Sequence, residues 1–154
     1  MKMFRQIMTN KQRISFKHFL PGIAWFFIVG ILTLMPGKDV PEVDMFQIPQ
    51  FDKLVHTGMF GMLTLLFCLP YFRSSMNSYA KKRILLRVAL MMAAWGLLIE
   101  VIQKYFVPGR SFEWLDWLAD NVGVGIALLI CYRIIRSKRL THKNPVNPLH
   151  QSKT

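Results

Sequence analysis

Acidic residues are scarce in this chain, which has eight Asp and Glu against twenty Lys and Arg in 154 positions. Cysteine is scarcer still. Cys68 and Cys131 are expected to act as small apolar packing residues rather than as a disulfide or a metal-binding pair. No Gly-x-Ser-x-Gly segment is present to carry an exposed serine nucleophile. Nor is there a His-Glu-x-x-His segment of the kind that holds zinc on one helix face. The first apolar run ends in Thr-Leu-Met-Pro-Gly with no small-x-small cleavage site, which argues for a retained anchor rather than a removed leader. Internal repeats and low-complexity tracts are also missing.

What the chain does have is long uncharged runs. A net charge of +12 would suit a nucleic-acid partner, but nucleic-acid modules intersperse Lys and Arg with polar residues, and these runs exclude that reading. Residues 19–35, FLPGIAWFFIVGILTLM, hold no charge over 17 positions. That is about the length needed to cross an apolar layer of about 30 Å at about 1.5 Å per residue. Apolar runs follow at 54–72 with one His, at 84–103 with Arg87 at one end and Glu100 near the other, and at 114–135 with Asp116 and Asp120. The fold class expected is an all-α membrane protein, a bundle of four transmembrane helices over those four ranges.

Charge sets the expected orientation. Lys2, Arg5, Lys11, Arg13 and Lys17 precede the first run, and Arg73, Lys81, Lys82, Arg83 and Arg87 flank the second connection. Arg133, Arg136, Lys138, Arg139, Lys143 and Lys153 follow the last run. All fall on one side of a four-helix topology, which places both termini in the cytoplasm of a multi-pass plasma-membrane protein. The eight acids take the opposite side or the helix halves adjoining it. The division expected is a basic cytoplasmic tail (1–18), a four-helix membrane domain (19–137) and a basic, disordered cytoplasmic tail (138–154).

The connection from Pro36 to Phe51, with three prolines, is expected to be extended. The connection from Lys104 to Ser111 is short and makes helices three and four antiparallel neighbours, with Ser111 placed to cap helix four. Helix three carries a stripe of Ala89, Ala93, Gly96, Glu100 and Gln103; helix four carries Asp116, Asp120, Gly123 and Ala127. Thr57, Gly61, Thr64 and Cys68 form a small-residue face on helix two. Small residues permit close helix approach in membranes, but that does not explain why acids continue the same stripes.

Ionisable and amide groups converge at the exterior end: Asp52, Lys53 and His56 on helix two, Glu100 and Gln103 on helix three, and Arg110, Asp116, Asp120 and Asn121 on helix four. Asp120 lies seven residues beyond Glu113, about 10 Å deeper. Taken singly, Asp52, Lys53, Arg110 and Glu113 read as solvated flanking residues and His56 as a hydrogen-bonded packing residue. Glu100, Asp116 and Asp120 do not. An acid at the centre of a membrane helix costs about 2.5–3.5 kcal/mol unless it finds partners. The nine residues named from Asp52 to Asn121 are therefore expected to form an exterior-facing, ligand-binding polar pocket. Trp114 reads as an interfacial anchor.

DKLVH (52–56), EVIQ (100–103) and RSFEWLDWLADNVG (110–123) stand in the order, spacing and helix-end placement that resemble the VanZ-like family of small bacterial integral membrane proteins, over about residues 20–135. At position 120 the chain carries Asp where that family often carries Asn, with Asn121 beside it, so which of the two takes the amide's place stays open. The resemblance implies four membrane helices and a bacterial envelope setting. It also implies an association with teicoplanin resistance, from which the family takes its name.

Two functions follow as expectations. One is a binding protein whose pocket takes a membrane-lipid headgroup or a lipid-linked cell-wall precursor, with Arg110 suited to a carboxylate or phosphate. The other is an intramembrane enzyme acting on a lipid-linked substrate, with His56, Glu100 and Asp116 as the catalytic candidates. A cation held by His56, Glu100, Asp116 and Asp120 is a weaker third arrangement, because no close ligand motif supports it. No metal and no cofactor is assigned. Oligomeric state is left open.

Overall fold

The computed structural model describes residues 14–36, 50–72 and 74–143, with side chains as far as residue 137. A 3-10 turn at Phe16–Phe19 leads into helix α1, Leu20–Thr33. Helix α2 spans Phe51–Phe72, α3 spans Ser78–Phe106 and α4 spans Trp114–Lys143. The spans Phe16–Thr33, Phe51–Phe72, Ser78–Phe106 and Trp114–Ser137 are each long and apolar enough to cross a membrane. The expected all-α bundle of four such helices is the architecture found.

Local chemistry explains the helix ends. Pro21 sits in the first turn of α1, where its missing N–H would have no intrahelical partner anyway. Asn77 caps α3, its side chain accepting the Ala80 N–H at 2.8 Å. Helix α3 therefore begins six residues before the apolar run at 84, its first turns carrying Lys81, Lys82 and Arg83. The turn after α3 closes with Arg110 N–H on the Val107 carbonyl at 3.2 Å. Gly109 there has φ +76°, a conformation that glycine enters without steric cost.

Ser111 does not cap α4. It is exposed, and the Glu113 carbonyl receives the first helical bonds, from Asp116 N–H at 2.9 Å and Trp117 N–H at 3.4 Å. The Glu113 N–H donates instead to Oε2 of Glu100 on α3, at 2.8 Å. A carboxylate from the neighbouring helix thus does what a local hydroxyl was expected to do. At its far end α4 remains helical to Lys143, into the segment expected to be disordered. The tails at 1–13 and 144–154, and most of the Pro36–Phe51 connection, lie outside the described residues.

Helices α3 and α4 are neighbours, as their short connection requires, but the most extensive packing is between α2 and α4. Their backbones meet at glycines: a Cβ on Gly61 would lie 3.3 Å from the Gly123 carbonyl oxygen, and a Cβ on Gly123 would overlap the Thr57 carbonyl. Thr57 Oγ1 reaches across to the Ala119 carbonyl at 3.0 Å. The small face of α2 and the small stripe of α4 are therefore two sides of one contact, in which absent side chains let dispersion and backbone contacts form.

Two apolar clusters fill the rest. Val29, Phe60, Leu63, Met92 and Ile99 pack together in one, with Trp25 tied to the Met59 carbonyl at 3.0 Å. Cys68, Leu85, Cys131 and Ile135 form the other. Both cysteines are free and buried, as expected of small packing residues.

Candidate functional site

The small stripes end in acids, and the structure gathers those acids at one end of the bundle. Lys53 is the hub. Its ammonium lies 2.5 Å from Asp52 Oδ2, 2.6 Å from Asp116 Oδ1 and 3.2 Å from Glu113 Oε2. Asp52 and Lys53 share the first turn of α2, and Asp116 enters from the first turn of α4. The three carboxylates offer oxygens within 4.8 Å of one another. Three like charges that close would repel strongly, so the tethered Lys53 cation is what allows them to sit together.

His56 stands one turn deeper. Its Nδ1 pairs with Asp120 Oδ1 at 2.9 Å, and its Nε2 is 3.8 Å from Asp116 Oδ2. Asp120 is fully buried, and its approach depends on Gly96, where a Cβ would come within 2.9 Å of Asp120 Oδ2. Asp120 Oδ2 has no hydrogen-bond partner among the described residues, and neither has Oε1 of the fully buried Glu100. Glu100 lies within electrostatic range of His56, Asp116 and Asp120.

A cavity of about 350 Å³ opens beside this network. That volume lies in the range of about 300–1,000 Å³ typical of small-molecule sites. Its polar lining comes from Asp52, His56, Glu113 and Asp116, with Arg110 and Thr33. Its apolar lining comes from Leu32, Met35, Val55 and Met59. Arg110 is half-buried and donates through Nε to the Met35 carbonyl at 3.4 Å. Among the described residues no carboxylate pairs with it. Among the described residues it is thus the cation of the cavity without a carboxylate, whereas Lys53 is already shared among three acids.

The nine residues singled out in the sequence divide into three groups. Asp52, His56, Arg110 and Asp116 line the cavity, and Lys53 and Asp120 pair with Asp116 and His56 of that lining. Glu100 and Gln103 act as fasteners: Glu100 holds the entry of α4, and Gln103 Nε2 donates to the Thr33 carbonyl of α1 at 2.7 Å. Asn121 donates to the Trp117 carbonyl of its own helix at 2.6 Å and stays apart from the cluster. Of the set considered for a cation, His56, Asp116 and Asp120 come together. The oxygens with ligand spacing belong instead to Asp52, Glu113 and Asp116, and the Lys53 ammonium lies among them.

The sequence reading assigned no part to helix α1, yet Leu32, Thr33 and Met35 line the cavity. A signal existed: Thr33 is the lone hydroxyl of the run 19–35. Its Oγ1 is spent on the Val29 carbonyl of its own turn at 2.7 Å, and its carbonyl takes Gln103. The tryptophans brace the same end: Trp117 Nε1 donates to the Ala93 carbonyl at 3.1 Å, while Trp114 is exposed, as an interfacial anchor would be.

Comparisons with curated proteins and with solved structures each return no match. A protein-family model, described as VanZ/LLP1, matches residues 2–136. That match takes in the first three membrane-length helices, most of the fourth and every residue of the cluster, and the chain belongs to the VanZ/LLP1 family.

Proposed function

We propose that this is a multi-pass protein of the bacterial plasma membrane, with both termini in the cytoplasm, whose exterior-facing cavity binds the polar headgroup of a membrane lipid or of a lipid-linked cell-wall precursor. The observation that carries the reading is the mixed lining of the cavity. Asp52, His56, Arg110, Glu113 and Asp116 supply polar and charged groups, and Leu32, Met35, Val55 and Met59 supply apolar surface. An amphipathic ligand satisfies both kinds of lining at once; a fully water-soluble one leaves the apolar part uncovered. The link to teicoplanin resistance rests on the family's name and would follow from capture of an envelope precursor.

Lipid-resolved mass spectrometry on protein extracted in native membrane discs tests this. The wild-type chain is expected to retain one lipid species enriched over the surrounding bilayer, and Arg110→Ala is expected to lose that enrichment while staying inserted. Discs with bulk lipid composition for the wild type would overturn the proposal.

A second reading, acid–base catalysis on a lipid-linked substrate, is favoured by His56. Its Nδ1 is held by Asp120 while its ring lines the cavity, the arrangement in which a carboxylate orients an imidazole and leaves Nε2 for proton transfer. Glu100 and Asp116, the other candidates, are occupied in holding α4 and Lys53 respectively. Incubation of purified protein with labelled envelope lipids should then yield a new product that His56→Gln does not form; no product from the wild type would exclude catalysis.

A further inference from the structure

Resting on the proposed lipid-headgroup site, we infer that the headgroup bound is zwitterionic with a primary ammonium, that of an aminophospholipid, its phosphate on Arg110 and its ammonium on the exposed carboxylate oxygens of Asp52 and Glu113, outside the position that Lys53 holds. Asp52, Glu113 and Asp116 line the cavity with Arg110, and Lys53 pairs with all three acids, so among the described residues three carboxylates still outnumber two cations. A purely anionic headgroup meets that excess beside the one cation left open to it. A purely cationic ligand leaves Arg110 uncompensated beside it. Only a molecule carrying both signs satisfies both ends.

Lys53 does not saturate the acids. Its ammonium takes Asp52 Oδ2 and Glu113 Oε2, and each carboxylate has a second oxygen able to accept. The side chains of Asp52 and Glu113 are 49% and 52% exposed, so those oxygens are open to a ligand entering from the end of the bundle. Arg110 has spent only its Nε on the Met35 carbonyl, and a guanidinium carries four further N–H donors suited to two phosphate oxygens.

The cavity also distinguishes between ammonium types. Quaternary ammonium groups have no N–H to donate and are held in structures by aromatic faces. Among the described residues no Phe, Tyr or Trp ring lines this cavity; its carboxylates offer hydrogen-bond acceptors instead. A primary ammonium with three donors fits those acceptors and choline does not. The apolar lining of Leu32, Met35, Val55 and Met59 then covers the upper acyl chains.

The test is native mass spectrometry of the full chain in detergent, titrated separately with phosphatidylethanolamine, phosphatidylglycerol and phosphatidylcholine of identical acyl chains, and with O-phosphoethanolamine, which has the headgroup without the tails. Phosphatidylethanolamine is expected to bind at least tenfold more tightly than either other lipid. The Asp52→Asn, Glu113→Gln double variant is expected to lose that preference while still binding lipid. Equal binding of the three lipids by the wild type would overturn the zwitterion assignment and leave the headgroup site standing. Retention of none would overturn both. O-phosphoethanolamine binding as tightly as the lipid would place all recognition in the headgroup and refute the part given to the apolar lining. The wild-type comparisons decide the question even where a variant fails to fold.

Discussion

The imidazole Nδ1 of His56 and the carboxylate Oδ1 of Asp120 lie 2.9 Å apart across the α2–α4 contact, in the buried interior. The two residues are 64 positions apart in the chain, so the bond exists only once the helices have docked. Removing one partner of a buried polar pair leaves the other desolvated and unpaired, at a cost of about 3–5 kcal/mol. Asp120→Ala and His56→Ala should each destabilise the bundle on about that scale, measured by unfolding in mixed micelles. The double variant should lose less than the sum, with a coupling of about 0.5–3 kcal/mol. Strict additivity would mean that the pair is not coupled.

The glycines provide a graded series. Gly123→Ala places a methyl group into the Thr57 carbonyl of α2, and backbone there has nowhere to go. Gly96→Ala meets Asp120 Oδ2 at 2.9 Å and Phe60 Cε1 at 3.3 Å, side-chain atoms that can shift at a cost of about 1–3 kcal/mol. A Cβ on Gly125 meets nothing within 4 Å, so Gly125→Ala should be neutral or stabilising by up to about 1 kcal/mol through helix propensity. Melting temperatures in detergent should fall in the order Gly125→Ala, Gly96→Ala, Gly123→Ala. A Gly123→Ala protein as stable as the wild type would contradict the backbone contact.

Glu100 accepts the Glu113 N–H at the entry to α4, so its role separates from its charge. Glu100→Gln keeps an acceptor oxygen of the same reach and should hold the entry, whereas Glu100→Ala should cost about 0.5–2 kcal/mol, the scale of a lost cap. Hydrogen exchange at the amides of residues 113–117 reads this locally: faster in Glu100→Ala, unchanged in Glu100→Gln. Equal protection in all three proteins would remove Glu100 from that role.

Helix number and approximate extent were legible because an apolar run of membrane length has few other structural uses. The stripe from Ala89 to Gln103 was legible too, since helical period alone puts those residues on one face, and Gly96, Glu100 and Gln103 are buried together. Which helix the small face of α2 meets was not. The small face of α2 reads the same whether α3 or α4 fills it, and only the meeting of Gly61 with Gly123 decides the matter. Lys53 read as a solvated flank because nothing local reveals that Glu113 and Asp116 will close around its ammonium. Ser111 read as a cap because capping patterns are local, while the acceptor in use comes from another helix.

Lys53 makes the last expectation concrete. Asp52, Glu113 and Asp116 have oxygens within 4.8 Å of one another, and the Lys53 ammonium lies among them. Lys53→Met retains most of the aliphatic stem and removes the charge, leaving three carboxylates with the oxygen-rich, hard-cation character that calcium and manganese favour. The variant should melt lower than the wild type in chelator and recover on addition of millimolar Ca²⁺ or Mn²⁺. An ion present at about 100 times its dissociation constant contributes about 2.7 kcal/mol, so the recovery is measurable. The wild type should not respond, because its own ammonium holds the position. A wild type that gains as much stability as Lys53→Met would show that the ion binds elsewhere and that Lys53 is not standing in for one.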